Sequence, residues 1–245
     1  MHIAFSRTDH RRWPVPAGNW TWRQCWHDLL FAHWPVPVDV LQPLVPPSLV
    51  VQEFGGTSWL GVVPFRMAGV RRRPLPAVPW LSAFPELNLR LYVERDGKPG
   101  VWFLSLDAAN AVAVWAAKRF FHLPYYLAEM DFKSRADDFV FSSQRVDGNP
   151  VSFRAEYRPT SPVFEASPGT LESFLVERYC LYAQAANGAL YRGDVHHVPW
   201  PLQRAEGELE ATELVAPHGL RLAGAPLLHF SRGVDVVVWP FTRLA

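Results

Sequence analysis

The sequence predicts a mixed, β-dominated (α+β) fold, an antiparallel meander with a few short helices, and three observations carry the prediction. Aromatic residues and proline are abundant, with 11 Trp, 16 Phe and 23 Pro in 245 residues, a mixture that suits strands broken by stiff turns. Residues 84–94 (FPELNLRLYVE) alternate strictly, and Asp96-Gly97 then supplies a hairpin turn into an apolar run at 101–106. The best helix candidate is the alanine-rich run 108–121, with Asp107 as its expected N-cap and His122 and Pro124 closing it.

The remaining elements follow in order. Residues 20–34 alternate and then lose the pattern, so a strand leads into a loop at Pro35-Val36-Pro37. Residues 38–41 make a short helix with Asp39 in its first turn. In the strand expected at 57–67, Pro64 has no N–H to give and requires an edge or a bulge. Three arginines and three prolines make 70–80 a loop. Strands are expected at 139–144, 151–157 and 179–184, with a Thr170-capped helix over 169–177. Asn187-Gly188 turns the chain into 190–192, and strands at 205–214 and 234–239 complete the meander. No repeat or long linker divides residues 1–245, which are read as one domain.

Composition narrows the function classes. Hydrophobic residues at 49% and charged residues at 19% exclude a disordered chain. Twenty-four basic against 23 acidic residues, net +1, argue against a dedicated nucleic-acid or anionic-membrane surface. No run spans a bilayer and the N-terminus lacks a secretory pattern, so the expected location is cytoplasmic. Cys25 and Cys180 are most simply reduced core residues, with one disulfide between them left open. The histidines have no metal-ligand spacing, and GxGxxG, Walker and GxSxG motifs are absent. No metal or cofactor is expected.

Chemistry by residue type concentrates in three places. On a strand, Glu86, Asn88, Arg90 and Tyr92 share one face while Leu87, Leu89, Leu91 and Val93 cover the other. The polar row is either a solvated face or a cavity wall, where Glu86 is an acid or base and Arg90 binds a carboxylate. Lys118-Arg119 suits a helix C-terminus by its dipole, and a buried Lys118 would be an amine nucleophile. His122-Leu123-Pro124-Tyr125-Tyr126 is either a turn or a pocket wall. Arg178, in Glu177-Arg178-Tyr179, is a structural ion-pair partner or a substrate clamp.

The runs FAHWPVP, FPELNLRLYV, GVWFLSLDA, FFHLPYY, ERYCLY and HHVPWPL together resemble the YqjF-like, DUF2071 family of bacterial proteins, from about residue 22 to 239. That family is grouped with the acetoacetate decarboxylase-like proteins. The resemblance implies a large antiparallel meander sheet curled into a cone or barrel around a central cavity. The decarboxylases use a lysine that forms a Schiff base with a β-keto acid, a second lysine directly after it, a glutamate and an arginine. Here the glutamate is similar in place to Glu86, and the Pro-Lys-Lys to Pro124-Tyr125-Tyr126. A phenol forms no imine, so the resemblance implies the pocket without conventional Schiff-base decarboxylation.

Two functions stay open. One is an enzyme acting on a small carbonyl or carboxylate compound, with Glu86 as acid or base, Arg90 on a carboxylate, and Tyr125 or Tyr126 on a developing oxyanion. The other is a non-catalytic binding protein for a small apolar molecule. In both, Asn88, Tyr92, Lys118, His122 and Arg178 complete the expected binding set, and the partner is a small-molecule ligand. Self-association into a homo-oligomer is compatible with either.

Overall fold

A row of apolar strands needs hydrogen-bonded neighbours on both edges, and this chain supplies them by closing its sheet on itself. The computed structural model describes residues 2–78 and 81–245. The first half contains β1 (Trp22–Val36), α1 (Val38–Leu41), β2 (Val50–Val51), β3 (Glu53–Phe54), β4 (Thr57–Arg72), β5 (Phe84–Arg95) and β6 (Lys98–Ala108). Next come α2 (Ala111–Phe121), β7 (Tyr125–Arg135), β8 (Asp138–Arg145), β9 (Ser152–Pro159) and α3 (Leu171–Val176). The chain ends through β10 (Cys180–Gln184), β11 (Leu190–His196), β12 (Leu202–Glu210), α4 (Thr212–Val215), β13 (Leu227–Val238) and β14 (Thr242–Arg243).

The strands form one 14-stranded sheet. Its main path runs β6-β7-β8-β9-β12-β13-β1-β4-β5, and β5 pairs back onto β6. A shorter circuit passes through β10 and β11, since β11 also pairs β13. The sheet therefore curls into a ring. It is mixed rather than wholly antiparallel, because β6 pairs in parallel with both β7 and β10. Parallel neighbours need a crossover, and α2 provides the one between β6 and β7. β7 is the strand that the sequence pattern does not announce: its first two residues, Tyr125 and Tyr126, lie in the segment read as a turn or a pocket wall.

Other boundaries shift for local reasons. β1 runs on through Pro35, which faces Trp59, instead of ending before it. Pro64 is not at an edge, since β4 lies between β1 and β5. Its missing N–H falls where the β1–β4 register slips between His27 and Ala32, at the bulge around Asp28 with φ 53°. The loop expected at 70–80 begins only after Arg72, and residues 79 and 80 lie outside the described chain. Residues 212–214 belong to α4 and not to a strand. The hairpins at Asp96-Gly97 and Asn187-Gly188 form as expected, with both glycines at positive φ.

The N-cap of α2 is Asn110, not Asp107: Asn110 Oδ1 accepts from the Ala113 N–H at 3.0 Å. Asp107 lies on β6 and is buried against Arg145, with Nη2 2.7 Å from Oδ1. Both faces of β5 are covered. Leu87, Leu89, Leu91 and Val93 join a core with Phe139, Phe141 and Phe153, while the polar row faces the inside of the ring. Cys25 and Cys180 are both free thiols, Cys25 bonded to Asp235 at 3.1 Å and Cys180 buried. Among the described residues no helix is long and apolar enough to cross a membrane.

Removing one member of a fully buried ion pair strands the other charge. Arg145→Met is therefore expected to lower stability by about 3–5 kcal/mol, and the Asp107→Leu/Arg145→Met double variant to recover much of that. Urea unfolding of the three proteins checks both outcomes.

Candidate functional site

The site begins with the alternation of β5. Glu86, Asn88 and Arg90 point inward and line a cavity of about 220 Å³. Aromatic walls come from other parts of the ring, including Trp22 and Trp26 of β1, Phe65 of β4, and Trp200. Helix α2 covers one side through the small residues Ala113, Ala116 and Ala117. The cavity is thus mostly apolar, with its polar groups gathered along one strand, an arrangement typical of small-molecule pockets.

At one end, the Tyr125 hydroxyl donates to Glu86 Oε2 at 3.0 Å. The two residues are distant in sequence. They meet because Glu86 faces Ala108 across the β5–β6 ladder, and the crossover then lays Tyr125 beside Leu106. Glu86 is 2% exposed. Burial pushes its carboxyl up to about 8, with Asp107 adding to the push and the Tyr125 hydrogen bond opposing it. The group is therefore largely a neutral acid at pH 7. Burial and the neighbouring Glu86 push the Tyr125 phenol upward as well.

At the other end stand two guanidinium groups. Arg90 Nε donates to Tyr92 Oη at 3.3 Å and Nη2 to the Leu175 carbonyl at 3.3 Å. Arg178 Nε donates to the Phe174 carbonyl at 2.7 Å, and its Nη1 donates to Gln52 Oε1. Burial brings the Arg178 guanidinium down to about 9, so it remains charged at neutral pH. The Tyr92 hydroxyl also sits 2.6 Å from His33 Nε2. Burial, with Arg90 nearby, holds His33 well below its usual value, and Tyr92 Oη accepts from Arg90 Nε while sharing a hydrogen bond with the imidazole. Gly61 lies beneath this group: a Cβ there would meet Tyr92 Oη at 2.8 Å and Arg90 Cγ at 3.2 Å.

Of the nine expected site residues, Glu86, Asn88, Arg90, Tyr125 and Arg178 line the cavity, and Tyr92 braces Arg90 from behind. The polar row is not a solvated face. Tyr126 lies outside, because successive strand residues point to opposite sides; its ring stacks 3.8 Å from the Arg145 guanidinium. Lys118 is also outside, at the surface, with Nζ 2.9 Å from Asp147. His122 closes α2 with φ 55° and packs against the Tyr191 ring. The chain has three lysines, Lys98, Lys118 and Lys133, and none lines the cavity.

The sequence reading missed the walls. His197 and Trp200 line the cavity, and His197 Nδ1 lies 2.7 Å from the Val198 carbonyl, with burial holding the ring down to about 3. The signal was present in the adjacent pair His196-His197, whose rings separate: His196 packs on Phe5 and His10 under the N-terminal segment. Among the described residues no three His, Cys, Asp or Glu side chains gather as a metal site.

A strand-dominated ring around a small, largely apolar cavity is the acetoacetate decarboxylase-like fold. An acetoacetate decarboxylase from Legionella pneumophila superposes with a TM-score of 0.65 at 14% identity, covering 99% of this chain and 94% of that one. The enduracididine biosynthesis enzyme MppR, complexed with pyruvate, gives a TM-score of 0.65 at 12% identity over 97% and 93% of the two chains. At the level of sequence the chain belongs to the DUF2071 family of uncharacterized conserved proteins, whose model matches residues 23–235. It is 44% identical over 230 residues to the uncharacterized protein YqjF of Bacillus subtilis, covering 94% of this chain and 95% of that protein.

The neutral Glu86 leaves a signature in stability. Its ordinary value of 4.5 in the unfolded chain lies below its folded value of about 8, so the unfolded state releases the proton first. The contribution is full below about pH 4.5 and is lost as pH rises toward 8, on the order of a few kcal/mol in all. Glu86→Gln is expected to flatten that decline, read from melting temperatures between about pH 5 and pH 8.

Proposed function

We propose that the chain is an acid–base enzyme acting on a small carbonyl compound in this cavity, by a route without a Schiff base. The observation that carries the reading is the buried Glu86–Tyr125 hydrogen bond standing in a pocket that no lysine lines. The neutral Glu86 carboxyl donates its proton to the carbonyl oxygen as water takes a proton from the adjacent carbon, which gives the enol, a hydronium ion and the Glu86 carboxylate; on reversal that carbon takes a proton back from solvent. As Glu86 becomes a carboxylate, the Tyr125 hydroxyl already bonded to Oε2 takes up the new charge, and Glu86 regains the proton when the carbonyl re-forms. Arg90 holds an anionic group of the same molecule. The complex of MppR with pyruvate supports a small carbonyl compound as the ligand class for this fold.

A second reading, a binding protein without turnover, draws on the apolar walls of Trp22, Trp26 and Trp200. The same donors would then orient a ligand without reacting with it.

Proton exchange next to the carbonyl of small ketones and oxo acids in D₂O, followed by NMR, separates the two. On the enzymatic reading Glu86→Gln lowers exchange by roughly 10²-fold or more, Tyr125→Phe lowers it less, and activity falls as pH rises through about 8. Borohydride traps no adduct above the surface-lysine background. Tight ligand retention with no exchange would establish the binding protein instead.

A further inference from the structure

The two polar ends of the cavity carry information about ligand length. Glu86 and Arg90 stand four residues apart on one strand, which places their backbones about 13 Å apart at the usual rise of about 3.3 Å per residue. The Arg90 guanidinium is tied to Tyr92 and Leu175, on the side away from Glu86. Between them on β5 stands Asn88, and the remaining walls are largely apolar, including Leu29, Val63, Phe65 and Phe103.

The far end lacks a counter-charge. Among the described residues neither Arg90 nor Arg178 forms an ion pair with a carboxylate, although Arg178 is only 7% exposed. Two polar atoms of the lining are buried with no protein partner: Arg178 Nη2 at that end, and Asn88 Oδ1, two residues before Arg90 on the same face of β5. A buried guanidinium without a counter-charge, Arg178, and an unmatched amide are costly unless a ligand completes them, and a carboxylate fits the guanidinium fork. The Asn88 amide, turned over, offers that carboxylate a further donor.

We propose that the ligand is an oxo-carboxylic acid whose two functions are far apart: its carboxylate sits at Arg90, Arg178 and Asn88, its carbonyl at Glu86 and Tyr125, and an apolar chain of roughly six to eight carbon–carbon bonds joins them. A β-keto acid separates the same groups by two bonds and reaches only one end. This assignment rests on the carbonyl site proposed above and adds the second anchor.

The test is a calorimetric binding series on the whole protein: acetoacetate, 4-oxopentanoate, 7-oxooctanoate and 9-oxodecanoate, with 2-octanone as the neutral control. Binding of the two long acids is expected to be at least tenfold tighter than that of acetoacetate. Arg178→Met and Asn88→Leu should each weaken the long acids about tenfold and change 2-octanone several-fold less. Equal affinity along the series, or long acids indifferent to both variants, overturns the assignment. If Arg178→Met does not fold, Asn88→Leu and the wild-type series decide. Should 2-octanone bind through Glu86 and the carboxylate add nothing, the remote anchor falls while the carbonyl site stands. If no member binds, both fall.

Discussion

The second edge of β6 is shared between two strands, and the geometry of the cavity depends on that division. One edge of β6 is taken by β5 along its whole length. On the other, residues 106–108 pair with the start of β7, and residues 101 and 102 pair with β10. The first partner carries Tyr125 to Glu86. The second brings in the segment that ends in Arg178, close to Arg90. A hairpin alone would leave the polar row of β5 facing nothing. The chemistry at each end is therefore a consequence of where two parallel strands meet one antiparallel neighbour, and the backbone hydrogen bonds of β6 hold both ends in one frame.

Electrostatics divides across the same strand. Asp107 and Tyr126 pair across β6 and β7 and share the outer side with Arg145, while Glu86, Ala108, Leu106 and Tyr125 face inward. The outer carboxylate has a guanidinium of its own. The inner one has a phenol, which donates a hydrogen bond but brings no positive charge, so burial prevails and the acid stays protonated. Burial raises both carboxyls, but Asp107 has the Arg145 guanidinium to oppose the rise and Glu86 only a phenol, so the opposing partner differs with the side of the sheet.

The hairpin of β5 and β6 was legible from alternation and a single Asp-Gly turn, and with it the polar row. The Thr170 cap and the Asn187-Gly188 turn were legible for the same reason: each is a local device. β7 was not, because its pairing to β6 is made across an intervening helix and Tyr125-Tyr126 offers two aromatic side chains with no alternation between them. Of the two tyrosines expected at the site, Tyr125 lines the cavity and Tyr126 packs on Arg145, since a strand can turn only one of them inward. Asp107 looked like a cap by residue type, yet Asn110, three residues on, satisfied the helix and left Asp107 to the ion pair. Where tertiary pairing decides a residue's role, residue type alone misplaces it.

The roof of the cavity is largely methyl groups. Ala113, Ala116 and Ala117 line it from α2, with Phe121 at the helix end, so much of the space beneath is bounded by the smallest side chains that still favour a helix. Replacing any of them by valine or leucine would shorten the chamber without touching the polar strand that confronts it. Cavities of this shape can therefore differ in size through a single helical face, while the polar row of β5 stays in register. The depth of the cavity and the Glu86–Tyr125 hydrogen bond are carried by separate pieces of backbone, and each is free to change at its own pace.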